Sequence, residues 1–213
     1  MRFSASVVGA GLIFLAFQAW AESAVADITP KVEFSAHVTR GHPKDATQAG
    51  KGMMYVGRHA VRTESRVKDQ LVRVIYRSDV QEVWILFPER KVYLKQPGPG
   101  GVRPPLPDEP ASPCRTDKAF SCRRLGPERI QGRDTQHWEI GFTHPEGGRE
   151  TTQLWVDTRL EIAIREVYHD GGSVQLTEIN EGAQSQDLFK IPEDYQQMSL
   201  PGASSGAGGA APR

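Results

Sequence analysis

Side chains able to do chemistry are scattered along this chain rather than grouped. Its 213 residues include 6 histidines and 2 cysteines. His37, His42, His59, His137, His144 and His169 show no metal-ligand spacing. His37 and His137 fall where strand alternation points to solvent, and His42 and His144 fall in turns. No Gly-x-Ser-x-Gly, His-Glu-x-x-His, phosphate-binding loop or Gly-x-Gly-x-x-Gly occurs. Asp157 and Asp170 occupy turn positions, where a carboxylate caps backbone amides instead of acting as acid or base. No catalytic residue, metal site or cofactor is expected, and the chain reads as a non-enzyme.

Cys114 and Cys122 are the two thiols, and their spacing is not Cys-x-x-Cys. In an oxidising compartment an even, closely spaced pair reads as a structural disulfide. Closing that short loop stabilises a fold by about 2.6 kcal/mol on the chain-entropy account.

The compartment is read from the first 26 residues. Arg2 is followed by an apolar stretch from Val7 to Phe17, then by Ala19-Trp20-Ala21 and Ala24-Val25-Ala26. Charge, apolar run and small-residue exit in that order predict a secretory signal peptide cleaved after residue 21 or 26. The run is shorter than the roughly 20 apolar residues of a membrane span, so no transmembrane segment is expected in the mature chain. No cysteine follows the run directly, so no lipid attachment is expected there. The protein is therefore placed in the periplasm. Lys and Arg total 26 and Asp and Glu total 26, a balance that gives no reason to expect nucleic acid as a partner.

The elements that must position any site are strands. From Lys31 to Arg40 apolar and polar residues alternate, with Val32, Phe34, Ala36 and Val38 in one phase. Further strands are predicted at Gly52–Val56, His59–Arg66, Leu71–Arg77, Gln81–Phe87 and Lys91–Lys95. After an interruption they continue at Leu125–Ile130, Gln136–Phe142, Glu150–Val156, Ile162–Tyr168 and Ser173–Ile179. Connections this short force antiparallel neighbours. Helical turns are expected only near Asp117–Cys122 and Ser185–Phe189. The interruption, residues 96–113, carries 7 of the 15 prolines and reads as an extended insert, with Pro104-Pro105-Leu106-Pro107 as its one docking-like run. Residues 199–213 are Gly-, Ala- and Ser-rich and read as a disordered tail, leaving one β domain over 27–198. The expected class is all-β: one strongly curved antiparallel sheet, an unclosed half-barrel with little helix.

One hairpin bears on function. A four-residue loop at Pro88–Lys91 pairs Phe87 with Val92 and Leu86 with Tyr93. Val83, Ile85, Phe87, Val92 and Leu94 then share one face, and Trp84, Leu86 and Tyr93 the other. Both faces are apolar, so each needs a cover: the Pro-rich insert, the C-terminal segment, a second subunit or a ligand.

The order of short motifs resembles the LolA/LolB-like periplasmic lipoprotein-carrier superfamily, as an uncharacterised branch of it. The motifs are Trp84-Ile85-Leu86-Phe87-Pro88 leading to Tyr93, then Leu154-Trp155-Val156-Asp157 turning into Ile162–Val167. The closing run Asp187-Leu188-Phe189-Lys190-Ile191-Pro192-Glu193-Asp194-Tyr195 completes the set. Ala163 stands where the family commonly has proline, and the lipid-modified cysteine of LolB has no counterpart. The resemblance implies a half-barrel whose concave face holds acyl chains, outer membrane lipoprotein-sorting-like in character. Trp84, Leu86 and Tyr93 are the candidate ligand-binding residues. The partner implied is a hydrophobic ligand or lipidated protein. An envelope protein-interaction or sensory module without a small-molecule ligand is the other reading.

Overall fold

A computed structural model describes residues 32–45, 49–98, 120–144 and 147–198. The expected signal peptide, Cys114, the tail and nearly all of the Pro-rich insert lie outside the described residues.

Strands take 64% of the described residues, and no α-helix occurs among them. A typical soluble domain is only about a quarter strand, so the all-β expectation holds. The chain forms β1 (Phe34–Gly41), β2 (Gly50–Val56), β3 (Ala60–Val67), β4 (Gln70–Arg77), β5 (Glu82–Phe87) and β6 (Val92–Pro97). It continues as β7 (Phe120–Ile130), β8 (Arg133–Thr143), β9 (Arg149–Asp157), β10 (Ala163–Val167), β11 (Ser173–Glu181) and β12 (Gln196–Gln197). All belong to one unclosed sheet in the order β12-β6-β5-β4-β3-β2-β1-β11-β10-β9-β8-β7. Two antiparallel meanders thus join where β1 meets β11, and β12 alone pairs in parallel, against β6.

The turns have the local causes expected of them. Asp157 Oδ1 accepts from the amides of Arg159 and Leu160, and Asp170 Oδ1 from that of Gly172. The β5–β6 connection is a 3-10 turn, Pro88–Arg90, and it sets Leu86 opposite Tyr93 and Phe87 opposite Val92 as the alternation requires.

Following the register across the sheet separates two faces. One carries Leu94, Ile85, Val74, Val61, Met54, Phe34, Ala36, Leu176, Ile164, Leu154, Trp138 and Ile140 as an apolar surface from β6 to β7. Phe34, Ala36 and Val56 are fully buried at its centre, where Leu160 and Ile162 of the β9–β10 connection pack on them. The opposite face is mostly polar over β7–β11, with Trp155 buried on it, and apolar around Trp84.

Three expectations need correction. Phe120–Cys122 forms the start of β7 rather than a helical turn, and Gln96 and Pro97 finish β6 rather than opening the insert. β7 runs through Gly126 and Pro127 because it is an edge strand, where proline's missing N–H breaks no ladder bond, and a bulge at Arg124/Gly126 absorbs the break in period. His137 is buried, although alternation puts it on the polar face. The Ser185–Phe189 turn is present as a 3-10 turn at Gln186–Phe189.

Candidate functional site

The surface foreseen on the β5–β6 hairpin is built as read, and the protein's own C-terminal segment lies on it. Trp84 and Leu86 are buried and Tyr93 is half-buried, in one cluster with Ala60, Ile75 and Phe189, and with Leu188, Ile191 and Tyr195 at its margin. The Trp84 indole is polar at its rim: Nε1 donates to Glu82 Oε2 at 2.6 Å. The Arg77 guanidinium and the Lys95 ammonium stand 5.1 and 5.2 Å from its ring centroid, within cation–π range.

The covering segment is a strap that crosses from β1 to β6. It leaves β11 with Gly182 N donating to Glu33 O and Gln184 N to the Glu33 carboxylate. Two arginines of the sheet then grip its backbone: Arg62 Nη1 donates to Leu188 O at 2.9 Å and Arg77 Nη1 to Phe189 O at 3.3 Å. Lys91 pairs with Asp194 at 2.9 Å. Gln196 N bonds Lys91 O and Met198 N bonds Tyr93 O, which adds β12 to the edge. The C-terminal segment is thus the cover for Trp84, Leu86 and Tyr93 among those the sequence left open.

The other expected pair, Cys114 and Cys122, is described only in part. Cys122 lies on β7 opposite Ile140, half-buried against the apolar face, and Cys114 is outside the described residues.

Two polar groupings escaped the sequence reading. On the polar face, His137 Nδ1 lies 2.6 Å from Glu128 Oε1 and its Nε2 lies 2.8 Å from Gln153 Oε1. Trp155 stacks on the imidazole at 4.1 Å and donates its indole N–H to Glu128 Oε2. Arg165 lies over the same indole at 4.7 Å. The Trp155 hydrogen bond, and then His137, hold the Glu128 carboxyl below its usual range. The arrangement ties the β7 edge to β8, β9 and β10. It offers no nucleophile, and no group of three or more metal-ligating side chains occurs among the described residues.

The second grouping lies within the apolar face. Arg40 and Glu166 are the cross-strand neighbours of Val174 from either side, on β1 and β10, and Glu166 is in turn opposite Leu154. Tyr168 donates its hydroxyl to Glu166 Oε2 at 2.6 Å. Burial pushes the Glu166 carboxyl above its usual range, against the opposing pull of the Tyr168 bond and the Arg40 charge. The signal was legible: Glu166 and Tyr168 fall in phase with Ile162 and Ile164, where alternation calls for apolar residues. Hydroxyl, carboxyl and guanidinium on an otherwise greasy surface can hold a polar head group there.

No protein-family model matches the chain, and no curated protein is similar in sequence. Among solved structures, an uncharacterised conserved protein from Thermus thermophilus superposes with a TM-score of 0.52 at 12% identity, over 86% of this chain and 97% of that one. That match shows a shared fold. A Pseudomonas aeruginosa MucA/MucB complex gives 0.48 at 15% identity, over 80% of this chain and 59% of that one. A LolA superfamily protein from Nitrosomonas europaea gives 0.34 at 10% identity, over 83% and 96%. At these TM-scores the last two add nothing to the fold.

Proposed function

We propose that this is a non-catalytic periplasmic protein that binds a hydrophobic ligand, an acyl chain or the lipidated end of a partner, on the apolar face of its half-barrel. The observation that supports it is the reach of that face. Apolar side chains run from Leu94 on β6 to Ile140 on β8 and Phe120 on β7, and neither a helix nor a second sheet packs over them among the described residues. An acyl chain seated among these side chains is held by the apolar area it buries of its own, roughly 25 cal/mol per Å². The order of LolA-like motifs supports the same reading, and the signal-like first 26 residues support a periplasmic site of action.

Trp84, Leu86 and Tyr93 are a second seat for the ligand, open to it only when Phe189 and its strap are displaced. The two seats part under substitution. Trp84→Glu removes bound acyl chain from a folded protein if the hairpin is the seat, and collapses the fold by burying a charge if Trp84 is core, which thermal unfolding beside lipid mass spectrometry distinguishes. A folded variant that keeps its lipid rules the hairpin seat out. Titration of the mature protein with a fluorescent fatty acid tests the proposal itself. Saturable binding near one equivalent supports it, and no saturable binding contradicts it.

One observation favours an envelope protein-interaction module instead. β7 ends the sheet and is 11 residues long, and an edge of that length is a template for a strand from another chain. A stoichiometric protein partner that protects β7 amides from exchange, with no bound lipid, selects this reading.

A further inference from the structure

The register sets a transverse row on the apolar face: Arg40 on β1, Val174 on β11, Glu166 on β10, Leu154 on β9 and Trp138 on β8. Trp138 is 6% exposed, and its indole Nε1 is buried with no hydrogen-bond partner among the described residues. A buried donor without an acceptor loses its hydration with nothing in return. The other two described tryptophans do not bear that loss, since Trp84 and Trp155 each donate to a carboxylate. Around Trp138 the buried neighbours are Ile140, Leu154 and Val156, with Phe120, Cys122 and Ala163 packed against them and Arg124 opposite on β7, and none brings a side-chain oxygen acceptor. Gln136, next but one along β8, already accepts from Arg124 and donates to Gly126 O. The unmatched donor therefore calls for an acceptor from outside, carried by something otherwise apolar. Arg124, directly opposite Trp138 on β7, carries donors only; Glu166, two strands away on the other side and hence about 10 Å across the sheet, is the nearest carboxyl along the row, with Tyr168 bonded to it.

We propose that the ligand is an acyl ester lipid whose carbonyl accepts the Trp138 indole hydrogen bond and whose polar head group meets Glu166, with the hydrocarbon on the apolar side chains beyond. This rests on the hydrophobic-ligand reading and narrows it. A carbonyl suits the Trp138 donor because it brings one acceptor with no formal charge to desolvate. A bare alkane or an ether-linked chain leaves the donor unsatisfied or poorly met.

The test is a pair of lipids with the same head group and chain length, 1-myristoyl-lysophosphatidylethanolamine and its 1-O-alkyl ether analogue. Both are titrated into the mature protein and into Trp138→Phe, which keeps an aromatic ring and removes the donor. The wild type should bind the ester lipid about three- to tenfold more tightly than the ether, one hydrogen bond's worth. Trp138→Phe should abolish that preference by weakening the ester alone. Glu166→Ala should weaken both lipids alike, because the head group is common to them. Equal affinity of the wild type for ester and ether overturns the Trp138 assignment even if the variant does not fold. An unchanged Glu166→Ala overturns the head-group assignment. Failure of the wild type to bind either lipid overturns the hydrophobic-ligand reading beneath both.

Discussion

A Cβ at Gly57 would lie 2.7 Å from Cε2 and 2.9 Å from Cζ of Phe189. The end of β2 and the C-terminal strap touch only because position 57 has no side chain. Phe189 is 2% exposed and held among Ala60, Ile75, Trp84 and Leu86, so its ring has little room to move aside.

Gly57→Ala should therefore overpack the strap and destabilise the protein by about 1–3 kcal/mol. Phe189→Ala alone should cost about 3–5 kcal/mol. The two together should cost less than their sum, because the overlap disappears with the ring. Urea unfolding of the three variants checks this, and strict additivity would show that the two positions do not meet.

Stability should fall as pH rises through the range set by Glu166. Its carboxyl is raised above the ordinary value of 4.5, burial being the largest cause. The folded state thus holds a proton that the unfolded chain releases near that value, and the penalty for ionising grows until the folded group has titrated. The lowered carboxyls, Asp79, Glu89, Glu128, Asp170, Asp187 and Asp194, act in the opposite sense and at acid pH. They are common to wild type and Glu166→Gln, so they cancel in the difference. Unfolding free energy of Glu166→Gln minus that of wild type should increase from about pH 4.5 upward and then level off. A difference that is flat with pH would mean that Glu166 is solvated.

The strands show where the sequence was legible and where it was not. Period-two alternation located eleven strands within a few residues and fixed the β5–β6 register, because a one-residue slip there would reverse both faces. It also separated Trp138, Ile140 and Phe142 from His137. What it could not convey is cover. His137 is on the polar face and still buried, because Glu128, Gln153 and Trp155, from neighbouring strands, close over it. The strap's sequence carries the family-like motif and one of the candidate covers, but its seat depends on Gly57 and on Arg62 and Arg77 reaching its carbonyls. Those are contacts between residues more than a hundred positions apart. β12 has only two residues, too few for any period. The unpartnered Trp138 donor is invisible in sequence for the same reason, since satisfaction is a property of the packed chain.

Export should leave a defined chemical trace. Intact-mass measurement of protein taken from the periplasm should show loss of 21 or 26 residues, and a mass two hydrogens below that of the dithiol form of Cys114 and Cys122. Retention of Met1 on exported protein, or alkylation of both thiols without reductant, contradicts the expectation.

The central claim is that an acyl chain occupies the apolar face. Native mass spectrometry of protein purified from its own periplasm without detergent, followed by lipid identification from the same sample, tests it most directly. About one acyl-bearing molecule per chain is expected, released on unfolding. Protein that carries no lipid from that source, yet is fully folded by urea titration, would contradict it.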